Sequence, residues 1–99
     1  MSRSDRLSLY RTLIYDQSGR TCIQYAKTVI VEFDLTNVTL RTGGWMSVTT
    51  KRKMNQAARQ FSLPYSVYQK KGIWYLSRPG MVDASWDGTE ITFTCGRTK

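Results

Sequence analysis

The sequence predicts one α+β domain over residues 1–99, an antiparallel β-sheet of about five or six strands with one main α-helix (about 50–62) packed on one face. Three observations carry that expectation. Thr28 to Phe33 reads TVIVEF, β-branched and aromatic almost throughout, as a strand requires. Met54, Ala57, Ala58 and Phe61 recur at i, i+3, i+4 and i+7, an apolar stripe on one side of a helix. Short clusters of Gly, Pro, Asp, Asn and Ser punctuate the rest, so the other apolar segments read as hairpin-linked strands.

Residues 1–8 are polar and expected to fray. Leu9 to Tyr15 fits a helical face or an alternating strand. The strand is preferred, because Asp16-Gln17-Ser18-Gly19 then turns the chain into Arg20 to Tyr25. Thr28 to Phe33 and Val38 to Arg41 form the next hairpin around Asp34 to Asn37, with Val29, Val31 and Phe33 on one buried face. Gly43-Gly44 breaks the strand, and Trp45 is expected to anchor the loop to the core. Ser47, Thr49 and Thr50 can each cap the helix that follows, with Thr49 the first choice. Pro64 biases Leu63 out of helical angles and ends the helix near Ser62. A second hairpin pairs Tyr65 to Gln69 with Ile73 to Ser77 around Lys70-Lys71-Gly72. Arg78-Pro79-Gly80 turns, Met81 to Ser85 reads as irregular, and a turn at Trp86-Asp87-Gly88 leads into a last strand, Ile91 to Cys95.

The formal net charge of +8 is unevenly placed. Between Leu35 and Val82 there is no acid, while Arg41, Lys51, Arg52, Lys53, Arg59, Lys70, Lys71 and Arg78 lie there. Elsewhere seven basic and seven acidic residues cancel, so the middle of the chain carries the whole excess. A field of this kind attracts polyanions, and nucleic acid is the commonest. The same charge also serves as a solvated surface that keeps a small protein soluble.

Catalytic chemistry has little support. There is no histidine, which removes Ser-His-Asp and Cys-His nucleophile systems, and two cysteines cannot build a zinc site alone. Glu32 and Asp34 are the only close carboxylate pair, a remote candidate for a divalent cation and more simply a solvated strand face. A non-catalytic protein without metal or cofactor is expected. No stretch has the length of a signal peptide core or a membrane span. A reducing cytoplasm is therefore expected, with Cys22 and Cys95 as thiols, although a bridge between terminal strands stays open.

The candidate binding residues fall in three groups. Thr42, Gly43 and Gly44, with the helix start at Thr49, Thr50 and Lys51, combine backbone N–H groups, hydroxyls and positive charge in a way that suits a phosphate. A glycine turn with a threonine cap explains the same residues. The spacing is not that of a nucleotide-binding P-loop. Arg52, Asn55, Gln56 and Arg59 form a polar ridge opposite the apolar stripe, with side chains suited to base edges or phosphates. Lys70 and Lys71 at the hairpin tip can straddle a nucleic-acid backbone or protect a strand end from pairing. Tyr65, Tyr68, Trp74 and Tyr75 share that hairpin, as in sheets that stack single-stranded bases, although at least two of these rings are needed for the core.

The run from Thr28 to Gln56 resembles a family of small, functionally uncharacterised proteins encoded by bacteriophages. The shared pattern is Phe33-Asp34, the return strand Val38 to Leu40, Thr42-Gly43-Gly44-Trp45, Thr49-Thr50-Lys51, a basic residue at Arg52 or Lys53, and Met54-Asn55. Tyr65 to Lys70, Gly72 and Trp74 continue the likeness, which covers roughly half of the chain. The resemblance implies a phage protein acting inside a bacterial host cell and supplies no activity. The leading expectation is a nucleic-acid-binding protein, for DNA or RNA, monomeric or homodimeric and without membrane contact. The alternative is an interaction protein that inhibits or redirects a host bacterial protein or antiviral defence complex.

Overall fold

The computed structural model describes residues 11–44 and 47–94. Expectations for the frayed start, Trp45 and Cys95 lie outside them. The protein is α+β and mostly strands, with one helix and two antiparallel sheets. The first sheet contains β1 (Thr12–Gln17), β2 (Arg20–Tyr25), β3 (Thr28–Phe33), β4 (Asn37–Arg41) and β8 (Glu90–Thr94), in that spatial order. The helix α1 (Val48–Gln60) follows β4 in sequence. The second sheet is β5 (Ser66–Lys70), β6 (Ile73–Ser77) and β7 (Ala84–Trp86).

Two sheets replace the single one expected. The three-residue β7 spans the end of the stretch read as irregular and Trp86, read as the start of a turn, and is too short for its pattern to be visible. The last strand returns to the first sheet: Val38 pairs with Phe93 and Leu40 with Ile91, more than fifty residues apart in the chain. Nothing local encodes such a pairing.

The meander β1 to β4 is held by tight turns. Ser18 and Gly19 both have positive φ (54° and 79°), the geometry of a two-residue hairpin turn that follows the strand twist. At the next hairpin, Asp34 Oδ1 accepts from the backbone N–H groups of Thr36 and Asn37, both at 2.8 Å. These bonds, that from Asn37 first, hold the Asp34 carboxyl below its ordinary value of 3.8. A carboxyl depressed by folding adds stability above its unfolded pKa, and that stability is lost as pH falls through the folded value. Asp34→Asn keeps an acceptor for the turn and removes the titration. Its stability is expected to fall less steeply than that of the parent protein between about pH 5 and pH 2, as read by urea melts across that range.

Strand β3 departs from simple alternation. Ile23 faces Val31 but Gln24 faces Val29, so Ile30 is an extra residue in the ladder, a β-bulge. Ile30 and Val31 are consequently both buried while Val29 is only half-buried, which corrects the expected Val29-Val31-Phe33 face. The inner row Ile23, Val31, Leu40 and Ile91 crosses the first sheet in register. The adjacent outer row, Cys22, Glu32, Thr39 and Thr92, is largely polar. There Glu32 takes Arg20 and Arg41 at 2.8 Å each, and Asp34 takes Arg20 at 3.2 Å. The two carboxylates offered as a metal pair are thus occupied by guanidinium groups. Cys22 is a buried free thiol.

The helix begins two residues earlier than expected. Ser47, not Thr49, is its N-cap, with its Oγ accepting from Thr50 N at 3.2 Å. At the other end, Leu63 N reaches back to Ala58 O at 2.8 Å and Ser62 adopts φ 57°. That is the left-handed closure in which a helix end satisfies its last carbonyls. Met54, Ala57 and Ala58 enter one core cluster that draws on both sheets, including Ile23, Val38, Trp74 and Phe93. The helix contacts β5 as well as β3, so it is covered on two sides.

Candidate nucleic-acid interface

Cover on two sides decides which helix residues face solvent. Thr50, Lys53, Met54, Gln56, Ala57 and Ala58 are all buried, a wider arc than the apolar stripe alone. Gln56, expected on the polar ridge, is 7 % exposed and faces the interior. Asn55 is half-buried and committed to the neighbouring strand. Its Nδ2 donates to Val67 O at 2.9 Å and its Oδ1 accepts from Val67 N at 2.8 Å. Strand β5 is the edge of its sheet, and the Asn55 amide supplies the two hydrogen bonds that a further strand would have made. The neighbouring Tyr65 hydroxyl donates to Met54 O at 2.6 Å from a buried position, and that burial drives its pKa far up. Neither amide of the ridge is therefore presented to a base edge. Arg52 and Arg59 remain exposed, on one line of the helix and two turns apart.

Those arginines line a shallow groove of about 370 Å³ between α1 and the edge of β5, together with Lys51, Asn55, Tyr68 and Gln69. Among the described residues, no carboxylate lines it. Lys51 lies across the groove floor, with Nζ donating to Gln69 Oε1 at 2.7 Å and standing 5.5 Å from the centre of the Trp74 ring. A strand residue thus orients a helix cation. Lys70 and Lys71 are exposed where β5 turns into β6, the turn itself being Lys71-Gly72 with φ of 54° and 81°. The groove and the lysine tip consequently share one strand.

The helix-start group is not assembled as expected. Thr50 is fully buried, and its hydroxyl lies 3.1 Å from Ser47 Oγ. Lys51 N already donates to Ser47 O, and the Lys51 side chain turns into the groove. Thr42 is buried, with its Oγ1 accepting from Gly44 N at 3.1 Å and its own N–H donating to Thr89 O. Gly43 has a packing role: at φ 64°, a Cβ there would meet Thr28 Oγ1 at 2.5 Å. Thr49 is half-buried and Gly44 exposed. The cleft beside this loop, about 330 Å³, is bordered by Arg11 and Lys27, two cations outside the segment on which sequence reasoning concentrated.

Lys53, the third residue of the basic run, is 3 % exposed with Nζ 5.1 Å from the Tyr25 ring centre, and burial lowers its pKa. Among the hairpin aromatics, Tyr65 and Trp74 are in the core, whereas Tyr68 and Tyr75 stack on each other across the strands at 5.2 Å and 16°. Tyr68 and Gln69 complete the groove, and only their place on an edge strand beside the helix shows this.

Fold and groove together define a small, strand-rich α+β protein with a cationic groove beside its only described helix. The chain belongs to the Kyanoviridae Gp96 protein family, whose family model matches residues 2–98, and it is accordingly a bacteriophage protein. No curated protein and no solved structure matches it. Among the described residues, no helix is long and apolar enough to cross a membrane, and no group of acids, cysteines or histidines is placed to hold a metal ion.

Proposed function

We propose that this protein is a non-catalytic nucleic-acid-binding protein acting in the cytoplasm of the infected bacterium, and that it holds the phosphate backbone along the groove between α1 and β5. The observation that carries this reading is the groove lining, where Lys51, Arg52 and Arg59 converge with no carboxylate among the described lining residues. Of the described acids, Glu32, Asp34 and Glu90 pair with Arg20 and Arg41 instead. Arg52 and Arg59 serve as phosphate contacts, Lys51 as a cation held by Gln69, and Lys70 with Lys71 extends the positive track. Contacts of this kind position a nucleic acid without reading its sequence.

The test is fluorescence anisotropy with labelled DNA and RNA at several salt concentrations. Reversal of both arginines (Arg52→Glu with Arg59→Glu) is expected to weaken binding at least tenfold. It should also flatten the salt dependence by roughly one phosphate charge per arginine removed, while the thermal midpoint stays within a few degrees. Affinity and salt slope unchanged by the double reversal would sink the proposal. Capture of a host protein with no affinity for nucleic acid would favour the alternative, a partner that docks on the same groove.

A further inference from the structure

The second sheet presents an outer face that the core does not use. Tyr68, Lys70, Ile73 and Tyr75 lie on it, as register fixes: Tyr68 opposes Tyr75 and Lys70 opposes Ile73. Tyr68 is 37 % exposed and Ile73 47 % exposed. The two tyrosine rings are nearly parallel, and the Tyr68 hydroxyl is held by Asp83 Oδ2, which fixes the ring from its far end and raises its pKa. Among the described residues, Tyr68 is also the one aromatic that borders the cationic groove. A rigid aromatic surface thus begins where the row of cations runs.

We infer that the ligand of this groove is single-stranded nucleic acid, with an unpaired base stacked on the Tyr68–Tyr75 pair and the adjoining phosphates on Arg52 and the Lys70–Lys71 tip. The inference rests on the nucleic-acid reading above and narrows it. Three observations favour a single strand over a duplex. A helix that reads a major groove must project side chains suited to base edges, and here Asn55 is bonded to Val67 while Gln56 is buried. A duplex also hides its base faces, so an exposed and immobilised ring gains nothing from it. Aromatic stacking beside a positive groove is, by contrast, the general means of holding single strands with little sequence preference. Asp83 touches this surface through its bond to Tyr68. Its charge directs the sugar-phosphate chain towards the groove and the lysine tip, not across the β6–β7 loop.

The experiment compares a labelled single-stranded oligonucleotide, the same sequence as a duplex, and a single-stranded RNA, with inorganic polyphosphate as competitor. Tighter binding of the single strands than of the duplex is expected. Tyr68→Leu should weaken single-strand binding about tenfold and leave the affinity for polyphosphate, corrected for the weaker labelled strand, within about twofold, while Tyr68→Phe, which keeps the ring and loses the Asp83 bond, retains most of the affinity. Equal binding of duplex and single strand, or single-strand affinity insensitive to Tyr68→Leu, overturns the inference. If Arg52→Glu still weakens binding in that case, the cationic groove reading survives alone. Absence of binding to every nucleic acid overturns both. The strand-type comparison remains decisive should Tyr68→Leu fold poorly.

Discussion

Asn55→Ala is expected to lower stability by about 2–4 kcal/mol and to leave the affinity of the folded protein for nucleic acid within about twofold. The magnitude follows from what the amide does. It satisfies both the N–H and the C=O of Val67, and removing it strands one donor and one acceptor at a half-buried strand edge. Each backbone group left without a partner costs about 1–3 kcal/mol, reduced where water can reach it. The edge of β5 is opened as well, and the docking of helix on hairpin loses its polar contact. Urea unfolding measures the first effect. Hydrogen exchange at the Val67 amide, accelerated well beyond the global change, locates it. Had Asn55 been a base reader, as the polar ridge suggested, the opposite pattern would hold, with stability unchanged and affinity reduced.

That reversal shows where the sequence was legible and where it was not. Strands such as Thr28–Phe33 and the Ile73–Ser77 hairpin arm are plain in the residues, because β-branched and aromatic runs between turn residues have few other uses. The helix stripe was equally plain, since Met54, Ala57 and Ala58 have only one side to bury. What Asn55, Gln56 and Lys53 do depends instead on a second neighbour. A helix packed on one sheet has a broad exposed polar face, whereas this helix, in contact with both β3 and β5, keeps only a narrow exposed line that includes Arg52 and Arg59. The pairing of β4 with β8 that closes the first sheet is a long-range event, invisible to any local window. Met54-Asn55 and Tyr65 to Val67, distant in the chain, meet in the structure through three hydrogen bonds, another contact no local window reveals. The cations of the candidate site, by contrast, were legible from charge asymmetry. Arg52, Arg59, Lys70 and Lys71 stand exposed where the acid-free middle of the chain placed them.

Trp74→Ala is expected to cost about 3–5 kcal/mol, a large share of the roughly 5–15 kcal/mol that holds a domain of this size together. The indole is 1 % exposed, among the largest of the fully buried side chains, and it meets Trp86 edge to face at 5.6 Å and 82°. It also lies beneath Lys51, so the cavity would open directly under the groove floor and release the cation above it. Trp74→Phe should cost less than half as much, for a reason specific to this site. The indole Nε1 is buried and meets no acceptor among the described residues, so the native ring already carries the penalty of an unpaired donor. Phenylalanine gives up part of the buried area and removes that donor with it. Urea midpoints of the two variants make the comparison. Equal losses would mean that the donor finds a partner in solution and that ring volume alone does not set the cost.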